Sequence, residues 1–381
     1  MRSLLLLFIC ISAISWCSAQ GLEQLIAEKI PTQVQLIALG DPSHQESTIT
    51  SSRIDLIKYL IEERGFTTIA FEANILEVHH AFLQFKKTGK TSDLEEAMYA
   101  QSNLREMELL YEYVNRKIKE GYPIRLIGFD ARSSGIHYAE LHYHEVKDLN
   151  LLNEEELKAF KRLLQKSEEV GLVNLFRNKK KIKEELLSLT KKIIAHYKPQ
   201  SENDAIFLQS LRNIAYLYQA TDTVAIEKRD HAMFTNIEFI RNLYPNEKII
   251  LFGSSTHFQK NSKAILSDFH QTHPPLLGEY LREAYGAQYF FIAYTALSGT
   301  QWVYPNNEKR LPPAEAGSIE YQLIEEKGLT TQIYTPSTSN TSKPIASRFL
   351  GHYFYPIADL SKVMDLLVAI PESQAAQIKK R

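Results

Sequence analysis

Two cysteines are all that this 381-residue chain has, Cys10 and Cys17, and both lie at its very start. They sit in its one long apolar run, Leu4 to Cys17, which follows Met1-Arg2-Ser3. That run is too short to span a bilayer comfortably, and Cys17-Ser18-Ala19 offers a small-residue cleavage site before Gln20. Residues 1–19 therefore read as a secretory signal peptide, and Trp16 beside Cys17 argues against lipoprotein processing. Once the leader is removed no cysteine is left, which excludes disulfides, thiolate metal sites and a cysteine nucleophile. Surplus charge is also missing: 44 basic residues face 45 acidic ones. Nothing in that balance requires nucleic acid, a membrane surface or a polyanionic substrate, and no stable membrane anchor is expected after cleavage. There is no G-x-S-x-G elbow, no H-E-x-x-H and no phosphate loop. An exported, cysteine-free protein of this size points to a bacterial periplasm or exterior.

What is present is a pair of similar stretches. Leu36-Ile37-Ala38-Leu39-Gly40-Asp41-Pro42-Ser43-His44 and Ile249-Ile250-Leu251-Phe252-Gly253-Ser254-Ser255-Thr256-His257 each run from apolar residues through a glycine and three small or turn-prone residues to a histidine. Short apolar runs bounded by turn signals predict strands buried on both faces. The glycine is expected to allow a sharp departure from the strand, so that each histidine emerges past a carboxyl end. That edge is where open α/β sheets bind ligands.

The rest of the pattern agrees. A strand at Val34 to Leu39, an amphipathic helix from Ser51 to Glu63 capped by Gly65, and a strand from Thr67 to Phe71 make a βαβ unit. Further strands are expected at Ile124 to Phe129, Lys248 to Phe252 and Gln288 to Tyr294. From Glu154 to Thr221 the pattern is helical only, which places a helical insertion or cap at about residues 150–222. Gly299 and three later prolines read as loops, Gln332 to Tyr334 as a strand and Val363 to Val368 as the last apolar element. The tail beyond Pro371 reads as frayed. The fold class is α/β, a central mostly parallel sheet flanked by helices, in one domain over residues 20–381.

Chemistry collects at the strand ends. His44 has an ordinary pKa of about 6.5, which suits a general base or acid near neutral pH, and a structural turn histidine is the plain alternative. Glu72 directly follows a buried strand, where a lone charge is costly. It is left to cap a helix, pair with an arginine, orient an imidazole or hold a proton. Asp41, beside Pro42, is either an Asx-turn residue or part of the site. Arg53, in the first turn of a helix, opposes the helix dipole and calls for an anionic partner such as Asp41 or Glu72. His257 carries the same ambiguity as His44, and Asp130 closes a third strand on the same edge.

In order along the chain, Gly40-Asp41-Pro42-Ser43-His44, Arg53, Phe71-Glu72-Ala73, Gly128-Phe129-Asp130 and Arg229-Asp230-His231-Ala232-Met233 with Asn236 resemble the erythromycin esterase family. Gly278-Glu279-Tyr280-Leu281 with Tyr285-Gly286 extends the likeness more loosely. The resemblance implies an α/β core with a helical insertion and hydrolysis of a macrolide lactone, a trait tied to macrolide resistance. It implies His44 as the base that activates water, Glu72 holding His44 or the water, and Arg53 and His257 stabilising charge on the carbonyl oxygen. No covalent intermediate, cofactor or metal is implied. Two departures stand out. Asp41 replaces the family's usual Glu, and Ser254 takes the place of the first histidine in a W-x-H-N-x-H motif. They weigh against a macrolide, within a reading of a small-molecule ester or lactone as substrate. They also keep open a haem- or metal-binding protein using the same cleft without catalysis. A metal-dependent peptidase with His44, Glu72 and His257 as ligands is the remaining alternative.

Overall fold

The computed structural model describes residues 21–98, 104–169, 179–219, 225–303, 307–326, 328–337 and 343–377. The expected leader lies outside the described residues. Among the described residues there are ten strands: β1 (Leu36–Asp41), β2 (Phe66–Asn74), β3 (Arg125–Asp130), β4 (Lys248–Ser254), β5 (Tyr289–Val303), β6 (Asn307–Leu311), β7 (Gln332–Tyr334), β8 (Ile345–Leu350), β9 (Tyr353–Ile357) and β10 (Leu366–Ser373). The main sheet runs β3-β2-β4-β1-β5-β10-β7, with β6 folded back on β5. Its pairings from β3 through to β10 are parallel, and β7 adds an antiparallel edge. The fold is therefore α/β with a mostly parallel sheet flanked by helices, as the alternation of strands and helices implies.

Alternate side chains of β1 feed opposite faces. Leu36 and Ala38 enter the core on one side, Ile37 and Leu39 the core on the other. A strand enclosed on both faces has no use for a polar residue until it ends, so the first carboxylate appears at Asp41. The following helix, Ser47–Arg64, buries Ile54, Ile57, Leu60 and Ile61, and it stops at Gly65, whose φ of 69° an L side chain rarely adopts. From β1 the chain moves outward to β2 and β3, then returns to lay β4 between β2 and β1 before continuing to β5 on the other side. The reversal at the β4–β1 pair is a topological switch point, and it opens a crevice at the carboxyl ends of both strands.

The two similar stretches are neighbours in this sheet. Gly40 pairs with Gly253 and Asp41 with Ser254. Their glycines have a different purpose from the expected one. Neither has positive φ, and both lie inside strands. A Cβ on Gly253 would stand 2.8 Å from Oε2 of Glu72, and one on Gly40 would stand 2.8 Å from Cα of Ser255. Close approach of neighbouring chain, rather than a turn, requires them. The residue with the turn conformation is His44 itself, at φ 60°.

The helices Glu154–Glu169, Lys179–His196 and Glu202–Tyr218 pack on one another and on the helices Ile75–Thr88 and Ala225–Leu243. Gly299 is not in a loop. It lies within β5 at φ 126°, where any side chain would strike the backbone of Ser373 on β10. Nor do the described residues after Pro371, 372–377, fray. Strand β10 continues to Ser373, and Gln374 and Ala376 hydrogen-bond to Ser47 and Gln45. The mostly polar composition of residues 372–377 does not report this backbone pairing.

Candidate active site

Three strands of the parallel run β3-β2-β4-β1 supply carboxylates at their carboxyl ends. Asp41 ends β1, Glu72 lies near the end of β2, and Asp130 ends β3. His44 follows β1 by one turn, and His257 stands on the one-turn helix Ser255–Phe258 that follows β4. The structure brings Asp41, His44, Glu72 and His257 together, and Arg53 joins them from behind.

Glu72 is the centre. Its Oε2 lies 3.6 Å from Nε2 of His44, and its Oε1 lies 3.3 Å from Nε2 of His257. Each imidazole has an aspartate on its other nitrogen. Nδ1 of His44 is 2.8 Å from Asp41, and Nδ1 of His257 is 2.8 Å from Asp230. One carboxylate thus bridges two His–Asp pairs. The backbone N–H of Ser254 donates to Oε2 of Glu72 at 2.8 Å, which fixes the carboxylate plane against β4. Capping of the helix after β2 falls to Asn74, whose side chain accepts from Leu76 and Glu77, so Glu72 is not the cap and turns to the cleft.

Arg53 is placed differently from the role the resemblance implies. It is fully buried, paired with Asp41, and donates to the carbonyls of Leu39 at 2.6 Å and Gly253 at 3.1 Å. Its guanidinium also lies 3.5 Å from the centre of the Phe252 ring. A group so enclosed orients Asp41 and ties β1 to β4. It does not reach a carbonyl oxygen in the cleft. Its anionic partner is Asp41, as expected, but the helix begins at Ser47, so Arg53 is its seventh residue and lies beyond the first turn where the dipole would oppose it.

The cation that does reach the cluster is Arg229, for which the sequence reading held no role. It donates to Glu72 at 2.8 Å and to Asp130 at 2.6 Å, and its Nη1 lies 3.1 Å from Nε2 of His257. Its side chain keeps 19% of its exposure, more than that of Arg53, Glu72 or His257. Arg229 adjoins Asp230, so a single helical turn supplies both the guanidinium and the partner of His257. Charges of both signs on one buried helix turn are the signal available in sequence. Among the described residues, no group of three His, Cys, Asp or Glu side chains is arranged to hold a metal ion. Arg229 puts a guanidinium against Glu72 and His257, where the ligand set of the metal-dependent alternative needs its ion.

These neighbours set the proton affinities. Burial favours the neutral form of Glu72, but His257, Arg229 and His44 outweigh it and hold the carboxyl well below its usual range. Burial likewise opposes charge on His257, yet Glu72 and Asp230 on its two nitrogens raise it to about 9. His44 is raised as well, burial being outweighed by Asp41 and Glu72. Asp41 is lowered, burial being outweighed by Arg53 and His44. Near neutral pH the cluster therefore holds ionised carboxylates around a cationic His257. His44, with 27% side-chain exposure, is the imidazole open to the cleft.

Comparison with known proteins follows the same lines. The family model for erythromycin esterase matches residues 61–373. YbfO of Bacillus subtilis strain 168, named as a hydrolase, is 24% identical over 362 residues, spanning 82% of this chain and 80% of its own. A Bacillus cereus protein of known crystal structure superposes with a TM-score of 0.71 at 18% identity, over 95% of this chain and 94% of that one. A histidine-to-asparagine mutant of the erythromycin esterase EreC, in its open conformation, gives 0.68 at 16% identity, over 91% and 92%. At such identities the structural likeness shows the shared fold alone. The extent of the family match settles membership: the chain is a divergent member of the erythromycin esterase family, a family of hydrolases.

Proposed function

We propose that this chain hydrolyses an ester or lactone of a small molecule by water that His44 activates, and that no covalent enzyme intermediate forms. One observation carries the reading: Glu72 bridges two His–Asp pairs of which only one opens to the cleft. The 3.6 Å between Nε2 of His44 and Oε2 of Glu72 is too long for a direct hydrogen bond, and it lets one water approach both atoms. Nδ1 is committed to Asp41, so Nε2 takes the proton. Water oxygen bonds to the carbonyl carbon as its proton passes to Nε2. The carbonyl oxygen becomes an oxyanion that faces Arg229 and cationic His257. Collapse breaks the bond to the leaving oxygen, which receives the same proton from Nε2, and acid and alcohol are released. Glu72, held well below the usual range, is too weak a base to replace His44 and instead orients the water.

The Asp41 and Ser254 replacements lead us to place the substrate among esters or lactones other than macrolides. We also place the mature chain outside the cytoplasm, on the strength of its leader. Purified protein is to be incubated with a panel of simple esters, lactones and macrolides in ¹⁸O-labelled water. Label in the acid product without a burst of alcohol release supports direct attack by water. A burst, or turnover that His44→Ala leaves unchanged, rejects it.

A further inference from the structure

The loop that carries His44 is held in an unfavoured conformation by a hairpin remote in sequence. His44 lies in the left-handed region at φ 60°, which few residues other than glycine adopt unless their surroundings hold them there. Three C-terminal segments supply that hold. Gly351 donates its backbone N–H to Pro42 at 3.1 Å. The end of β5 and the segment after β10 both bond to Gln45, through Trp302 at 3.2 Å and Ala376 at 2.9 Å. A side-chain relay adds to these backbone bonds. Ser43 Oγ donates to Oε2 of Glu46 at 2.7 Å, and Oε1 of Glu46 meets Nε2 of His352.

Two features single out His352. Strands β8 and β9 are joined by Gly351 and His352 alone, at φ 59° and 60°. Positive φ at both central positions is the mark of a type I′ turn, where glycine or asparagine is preferred at the second. Histidine here runs against local preference, so its side chain has a use that the turn does not supply. That use is narrow. The imidazole is 4% exposed, its Nδ1 has no partner among the described residues, and Glu46 is its polar contact. Glu46 is itself buried and lies two residues from His44.

We propose that His352 is a positioning residue, which through Glu46 and Ser43 holds the Pro42–Glu46 loop so that the His44 imidazole stays between Asp41 and Glu72. The inference rests on His44 as the base, but its decisive readout needs no substrate. Asp41 and Glu72 face His44, with Arg53 behind Asp41; Glu46 faces His352, with Arg348 beyond it. If the relay is cut, His44 leaves its carboxylates and its titration moves down toward the ordinary value of about 6.5.

The test is His352→Gly, which relieves the backbone of an unfavoured conformation while removing the imidazole. His44 is followed by its Cε1–Hε1 NMR signal across a pH titration, and the loop by amide exchange at Gln45. The expected result is a lower His44 pKa, faster exchange at Gln45, and kcat about tenfold lower at little-changed KM on whatever ester is turned over. His352→Gln, which returns a nitrogen donor to Glu46, recovers most of the wild-type titration. An unchanged His44 titration and Gln45 exchange in folded His352→Gly overturns the proposal. If that variant does not fold, Glu46→Gln is read the same way, with the same two results deciding. Absent turnover beside an intact coupling counts against the esterase reading and leaves the positioning role standing.

Discussion

His44 and His257 each have an aspartate on Nδ1 and share Glu72 on the far side, yet their surroundings give them opposite tasks. Nε2 of His257 is enclosed by Glu72 at 3.3 Å and Arg229 at 3.1 Å, and its side chain is 6% exposed. Nε2 of His44 has only a loose approach to Glu72 and an opening to solvent. An imidazole locked between two carboxylates keeps its proton and serves as a fixed charge. One with a free nitrogen can pass a proton on. Two similar stretches of sequence thus yield one reagent and one counter-ion, and the difference comes from the helix that brings Arg229 and Asp230 to one side alone.

The comparison is broken most severely by deleting the reagent. His44→Ala is expected to lower kcat on a working ester by about 10²–10⁴-fold with little change in unfolding midpoint, since the residue is partly exposed and strained. His257→Asn removes fixed charge rather than the base, and a loss of about 10²-fold is expected, together with a clear loss of stability. Steady-state kinetics and urea unfolding on both variants check the pair. Equal rates of loss would erase the distinction.

The two arginines sharpen it next. Arg229→Ala leaves Glu72 and Asp130 facing each other without their cation, and Arg53→Met strands Asp41 in a buried site. Each is expected to cost about 3–5 kcal/mol by denaturant unfolding. Only Arg229→Ala also exposes Glu72 to lose its low proton affinity, which a shift of the Glu72 carboxyl resonance toward higher titration would report.

A smaller effect concerns stability against pH. A histidine raised to about 9 contributes stability that is complete below its unfolded value of about 6.5 and lost as pH rises through 9. Glu72, depressed, contributes stability present above about 4.5 and lost as pH falls through its folded value. Together they give a plateau between about pH 4.5 and 6.5, and His257→Asn is expected to weaken both slopes, since His257 is also the first of the cations that hold Glu72 low, leaving the parts due to His44 and Asp41. Urea midpoints across that range measure it.

Much of this was legible in the sequence, for identifiable reasons. Apolar runs such as Ile249 to Phe252 mark strands closed on both faces, and polar residues at their ends have to be working or paired. Gly65 ended its helix as the pattern indicated. What failed to show has equally plain causes. Arg229 acts 157 residues from Glu72, and no spacing rule links a helix to a strand end so far away. Gly40 and Gly253 look like turn formers in the sequence, because their need for space depends on neighbours that only the register supplies. Residues 372–377 have mostly polar side chains and are held through their backbone. His352 carried no signal until its turn placed it beside Glu46.

The central claim is that His44 alone exchanges the proton while His257 stays charged. NMR titration of both imidazoles, set beside the pH dependence of kcat/KM on a substrate turned over, tests it most directly. The account predicts that activity rises with pH along a limb that coincides with the His44 titration, displaced above about 6.5, while His257 titrates separately near 9. A limb that follows His257 instead, or one that survives in His44→Ala, would contradict it.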